Sequence, residues 1–333
     1  MKFKAATFLK IAVILIVAGI LVCGAAFALA GGNFRKFSTV EEYMEKKYTV
    51  DAEKVSSLEV TDIDNAIKLQ PSPDDKIHIT YYENDKRHYD IGVSSSGELT
   101  VICRSDMKWY NYIGVFNTDW YNTTVIVLIP ERLSAEMKFT TTNGSIQADH
   151  VTVSNFYAKT NNGAVTLESV HSDGSISITS SNGRLRVDDT SASHDFDLST
   201  SNGSIRAENL TVGGKLSADN KNGSVNFQEV SAEESISIKS NNGALIAKNT
   251  VSEGNIEMRS SNGRVEVERI MGYDITLRSS NGSIKGTVIG SSSEYTVLVK
   301  SSNGSVSAPE SGRGEKVLDI ETRNGAINID FGK

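Results

Sequence analysis

Four carboxylates, Asp149, Glu168, Asp188 and Glu208, recur at spacings of 19, 20 and 20 residues. Hard cations such as Ca²⁺ prefer several carboxylate oxygens at once, so a row of this kind is a candidate cation site. One other stretch of the 333-residue chain suggests chemistry: an aromatic cluster of Trp109, Tyr110, Tyr112, Phe116, Trp120 and Tyr121. It holds both tryptophans and six of the 24 aromatic residues. Such rings stack on sugar faces or anchor a protein partner. Elsewhere the residues exclude more than they offer. His78, His88, His150, His171 and His194 are scattered, with no metal-binding spacing. There is no Gly-x-Ser-x-Gly elbow and no phosphate-cradling glycine loop followed by Lys-Ser/Thr, so catalysis is not expected. A net charge of −7 argues against nucleic acid as a partner and against docking on an anionic surface by charge alone.

Both features depend on a repeat to position them. Asn-Gly occurs ten times, at Asn143-Gly144, Asn162-Gly163, Asn182-Gly183, Asn202-Gly203, Asn222-Gly223, Asn242-Gly243, Asn262-Gly263, Asn281-Gly282, Asn303-Gly304 and Asn324-Gly325. The gaps run 19, 20, 20, 20, 20, 20, 19, 22 and 21 residues. A unit that short cannot bury a core alone and must bury it against its neighbours. Six and four residues before each asparagine stand apolar residues, as in Phe196 and Leu198 or Ile236 and Ile238. Two before it stands a small polar residue such as Thr200, and three after it an aliphatic one such as Ile205. This period of two predicts strands with one buried face, and Asn-Gly predicts positive φ at a tight corner between them.

Two architectures fit that unit. Asn-Gly between alternating strands signals a hairpin array. The near-constant spacing favours a parallel β-solenoid instead, because each coil must match the perimeter of the coil beneath, and stacked asparagine amides can then bond along the stack. The expected fold is all-β: a single-stranded β-solenoid (parallel β-helix) of about ten 20-residue repeats, preceded by an N-terminal transmembrane helix. At about 4.8 Å per rung, ten rungs make a rod roughly 50 Å long. The four carboxylates would then lie in line, one strand spacing apart. Arg184, Arg186 and Arg206 lie on the same strands, with Arg186 and Arg206 two residues before Asp188 and Glu208, and could relieve their repulsion as a surface ion-pair lattice. The other reading is Ca²⁺ or a cationic group of a partner; beyond that, no cofactor is expected.

From the start, Lys2, Lys4 and Lys10 precede about twenty uncharged apolar residues, Ile11 to Ala30. That length spans a bilayer, and the lysines place the N-terminus in the cytoplasm with the rest of the chain outside it. Ala28-Leu29-Ala30 also reads as a signal-peptidase site, in which case the product is secreted. The organisation expected is an anchor or signal over 1–31, a polar stalk over 32–54, an N-terminal β region and cap over 55–135, and the Asn-Gly solenoid over 136–333. Ser95-Ser96-Gly97 resembles a degenerate repeat turn. The aromatic cluster is either a plug for the N-terminal end of the solenoid or a ligand platform. Cys23 reads as a membrane-helix residue and Cys103 as a buried reduced thiol.

Ser57-Leu58-Glu59-Val60, the Ser72-Pro73-Asp74-Asp75 turn before Tyr81-Tyr82, Gly97-x-Leu99-x-Val101, Leu128-Ile129-Pro130 and the Thr-Asn-Gly-Ser-Ile repeats together resemble the bacterial "putative-adhesin" β-solenoid domain family over roughly residues 48–330. The resemblance implies a surface-exposed, often membrane-tethered β-helical domain with adhesion as its role. It carries no catalytic or ligand residue over to this chain. The function expected is a membrane-anchored extracytoplasmic adhesin or cell-envelope interaction scaffold, with an envelope glycan or protein as partner. The alternative is a regulatory or sensory module in envelope-stress signalling. A polysaccharide-active enzyme rests on analogy of fold alone.

Overall fold

Alternation decides how each repeat folds. In the Asn202 coil, Phe196, Leu198 and Thr200 point inward from the strand Phe196–Thr200, and Ile205, Ala207, Leu210 and Val212 from the strand Ile205–Val212. Asp197, Ser199 and Arg206 point out. A computed structural model describes residues 5–29, 31–32, 43–106 and 123–332 of the chain. Neighbouring strands belong to successive coils and run parallel and in register: Phe196 lies between Ile176 and Leu216, and Ile205 between Leu185 and Val225. The fold is therefore an all-β parallel β-solenoid of about ten turns, and the hairpin array is excluded across the repeats. Like positions stack on like, which builds one continuous interior of Val, Ile, Leu and Phe.

In seven consecutive coils the left-handed residue is not the corner glycine. Positive φ falls seven residues after the asparagine, at His150, Ser169, Asp189, Asn209, Glu229, Asn249 and Arg269, with values between 45° and 58°. The inward set of the second strand explains this, since Ala207 and Leu210 are three apart and strict alternation would send one of them outward. One left-handed residue between them acts as a bulge and turns the strand around the core. The corner glycines serve a different purpose. A Cβ on Gly163 would lie 1.8 Å from the Gly144 carbonyl oxygen, and one on Gly203 would lie 1.9 Å from that of Gly183. Coils approach so closely here that only a residue without a side chain fits.

Spatial order departs from chain order at both ends. The strand Ser57–Thr61 lies between Glu98–Ser105 and Arg132–Thr141. At the other end, Lys316–Thr322 lies between Ile275–Ser279 and Tyr295–Ser301, and Ile327–Gly332 between Ile284–Ile289 and Val306–Ser307. The last coil in sequence is thus next to last in space.

Antiparallel strands cover the N-terminal end. Met44–Asp51 pairs with Lys76–Glu83, which pairs in turn with Val125–Ile129. The polar segment before residue 54 is therefore not all stalk: it supplies a charged edge strand, with Glu45, Lys46 and Lys47 discouraging further pairing. Gly97, at φ +83°, sits in the hairpin between Arg87–Val93 and Glu98–Ser105 rather than at a repeat corner. The helix Ala5–Leu29 precedes these strands.

Candidate binding surface

Three columns of side chains run along the outside of the solenoid, each fixed by the period of the repeat. The first is the asparagine corner. Asn162 Nδ2 donates to Asn143 Oδ1 at 2.7 Å, Asn182 to Asn162 at 2.7 Å, Asn202 to Asn182 at 2.7 Å, and the pattern continues to Asn281. It then passes to Asn324 and ends at Asn303, which follows the spatial order of the coils. Every amide donates toward the N-terminal end, where Asp64 Oδ1 accepts from Asn143 at 2.5 Å. A carboxylate there meets the positive end of a line of parallel dipoles, as it would at a helix N-terminus. Behind this corner the small polar residues form a second, buried ladder. Ser180 Oγ donates to the Gly163 carbonyl at 3.1 Å and accepts from the Gly183 amide at 2.8 Å, and Thr200 repeats the arrangement one coil on. The close glycine backbone is thereby satisfied without water.

The second column holds Asp149, Glu168, Asp188 and Glu208, which do stand in register. Arg186 Nε donates to Asp188, and Arg206 Nη2 lies 2.7 Å from Glu208, so the arginine lattice is present for these two. His150 pairs with Asp149, and that hydrogen bond raises the imidazole above its ordinary value. Among the described residues no group of three or more His, Cys, Asp or Glu is gathered as metal ligands.

The third column lies just past the asparagine corner. Arg184, Arg186 and Arg206 line a groove of about 360 Å³ together with Ser204, Ser224 and Asn226. A second groove, of about 410 Å³, lies on the opposite flank of the corner and is lined by Lys239, Arg259, Arg278 and Arg323 with several serines and Glu321. Three of its four cations are countered. Arg259 pairs with Glu257, Lys239 lies 3.7 Å from Glu257, and Arg278 pairs with Asp319 at 2.5 Å and Glu321 at 3.7 Å. Neither groove is apparent from the residues read singly. The arginines stand out only as neutralisers of the acidic column until stacking brings residues 184, 206, 204 and 224 to one place.

At the covered end a buried polar knot joins the coils to the cap. Asp62 Oδ1 accepts from the amides of Ile63, Asp64 and Asn65, and its Oδ2 accepts from Tyr89 Oη. Arg87 donates to Asn65 Oδ1 at 3.1 Å and Asp64 Oδ2 at 3.0 Å, and Thr123 Oγ1 donates to Asn65 Oδ1 at 2.5 Å. Burial, and then Asp62, push the Cys103 thiol up to about 11, which leaves it protonated and inert at neutral pH. Trp109, Tyr110, Tyr112, Phe116, Trp120 and Tyr121, the sequence's candidate plug or platform, lie outside the described residues.

In-register coils and a bonded polar corner define a parallel β-solenoid with grooves on its flanks. The chain belongs to the Toastrack DUF4097 family, whose model matches residues 55–330. Among solved structures it is similar to a "putative lipid binding protein" from Parabacteroides distasonis, at 15% identity over 87% of this chain and 97% of that one, with a TM-score of 0.41. It is similar also to a "putative cell adhesion protein" from Clostridium sporogenes, at 12% identity over 87% and 100% of the two chains, with a TM-score of 0.26. A "putative adhesin" from Bacteroides fragilis matches at 14% identity over 88% and 99%, with a TM-score of 0.26. No curated protein matches the chain.

Proposed function

We propose that the chain is held at a membrane by its N-terminal helix and works outside the cytoplasm as a binding scaffold, an adhesin or an organiser of envelope components, without catalysing a reaction. The observation that carries this reading is the asparagine corner, bonded from coil to coil from Asn143 through Asn281 and Asn324 to Asn303, which presents the same amide chemistry along the length of the stack. A repeated, rigid, laterally open surface suits an extended partner better than a single small molecule. The helix supports the tether: Lys10–Leu29 has a mean hydropathy of 2.9 with none of it buried against the rest of the chain, and 20 helical residues at about 1.5 Å each reach across a bilayer core. The partner is an envelope glycan or protein.

Crosslinking in the native envelope, followed by identification of what is attached, tests the proposal. A scaffold yields envelope polymers or surface proteins bound to the solenoid. Adducts confined to membrane proteins of a signalling complex would move the assignment to a sensory module. Turnover of a polysaccharide by the purified chain would overturn the non-catalytic part.

A further inference from the structure

The geometry points to the Arg184, Arg186 and Arg206 groove as a binding site for the phosphate groups of a flexible, phosphate-bearing envelope polymer. The inference rests on the scaffold reading and names the chemistry of its partner. Arg186 and Arg206 are directly opposite one another on adjacent parallel strands, at about 4.8 Å spacing, an arrangement of like charges that is unfavourable in the free protein. Arg184, just before the strand Leu185–Ala192, lines the same groove. Three guanidinium groups therefore converge on one stretch of a chain whose net charge is −7.

Among the described residues no carboxylate lines this groove, whereas Glu321 lines the second. Among the described residues Arg186 reaches Asp188 through Nε and Arg206 reaches Glu208 through Nη2, and the remaining donors of both forks make no hydrogen bond. Arg184, which lines the groove, makes no ion pair among the described residues. Ser204, Ser224 and Asn226 add hydroxyl and amide donors along the floor. Planar forks with converging hydroxyls suit a tetrahedral oxyanion, which accepts two bonds from each fork.

A polymer fits better than a lipid surface. The groove lies on the flank of the Asn182 to Asn222 coils, away from both ends of the stack, and the overall negative charge opposes laying that flank on an anionic bilayer. A flexible chain can enter the groove locally and leave the acidic columns untouched.

The test uses the full-length chain in nanodiscs of zwitterionic lipid, with fluorescently labelled linear polyphosphate as the probe and anisotropy as the readout. Binding is expected at low ionic strength and should weaken as salt rises. Arg184→Gln, which breaks no ion pair, should lower affinity roughly fivefold with unchanged melting, as expected for one exposed charge-assisted contact. The charge-matched Lys159→Gln, outside the groove, should leave affinity unchanged. Three results would overturn the site: no polyphosphate binding at low salt, an equal loss in both variants, or binding only to vesicles containing phosphatidylglycerol. If the parent chain and Arg184→Gln capture the same envelope partner equally well, the scaffold stands and the groove does not.

Discussion

A single missing β-carbon fixes how closely two coils can approach. At Gly203 the added atom would fall 1.9 Å from a backbone oxygen that cannot move independently of its own coil. Gly203→Ala should therefore destabilise the solenoid by about 3 kcal/mol or more, at the upper end of overpacking costs. Gly325 lies near the chain end, yet its added Cβ would meet the Gly282 oxygen at 2.2 Å inside the stack. Gly325→Ala should be about as harmful, and chemical denaturation of the two variants checks this. Charge at the residue scale shows at Asp197, whose carboxyl is raised above its ordinary value of 3.8 by partial burial, then by Asp195 and Asp219. A raised carboxyl means the folded state binds the proton more tightly than the unfolded state does. The charged form therefore costs stability at neutral pH, and that cost disappears as pH falls through the raised value. Asp197→Asn should melt slightly higher than the parent at pH 7, with the advantage shrinking as pH drops toward 3.8. An advantage that grows on acidification would contradict this account.

From Asn143 to Asn262 each coil is a strand, a glycine corner and a second strand bent by one left-handed residue, and these parts were unequally legible in the sequence. The corner was legible because asparagine recurs there without exception, and its amides do form a ladder. Its conformation was misjudged: Asn-Gly suggests positive φ, whereas the glycine is required by the close approach of the coil beneath. The true left-handed position carries His150, Ser169, Glu229 and Arg269 among others, side chains with no common signature, so only the three-residue step between inward positions betrays it. The strand Met44–Asp51 was hidden because an edge strand facing solvent on most of its length has charge where alternation would be sought. The exchanged order of the last coils left only a faint trace, in asparagine gaps of 22 and 21 where most are 20. That exchange has a measurable consequence. Tyr295–Ser301 pairs with Lys316–Thr322 and Val306–Ser307 with Ile327–Gly332, so removing residues 316–333 takes away the strands beneath the outermost coil. Hydrogen exchange should then show residues 295–307 unprotected along with the deletion; in a stack that followed chain order they would keep their protection.

At the scale of the whole molecule the protein is a rod with a covered N-terminal end, an apolar helix before it and polar columns along its flanks. Self-similarity sets an oriented amide row, an acidic row and a cationic groove side by side along one body. Fold and repeat were readable because burial imposes a strict period. The groove was not, because it consists of residues about twenty apart that meet only when coils stack. The most direct measurement of the central claim is site-specific photo-crosslinking in the native envelope, with the reactive residue placed in turn at Ser224 in the groove, Ser261 on the opposite flank, and Ser96 in the hairpin of the N-terminal cap. Adducts to an envelope polymer or surface protein from the flank positions, strongest at Ser224 and absent from Ser96, are what the account predicts. Adducts from Ser96 alone, with none from either flank, would contradict it.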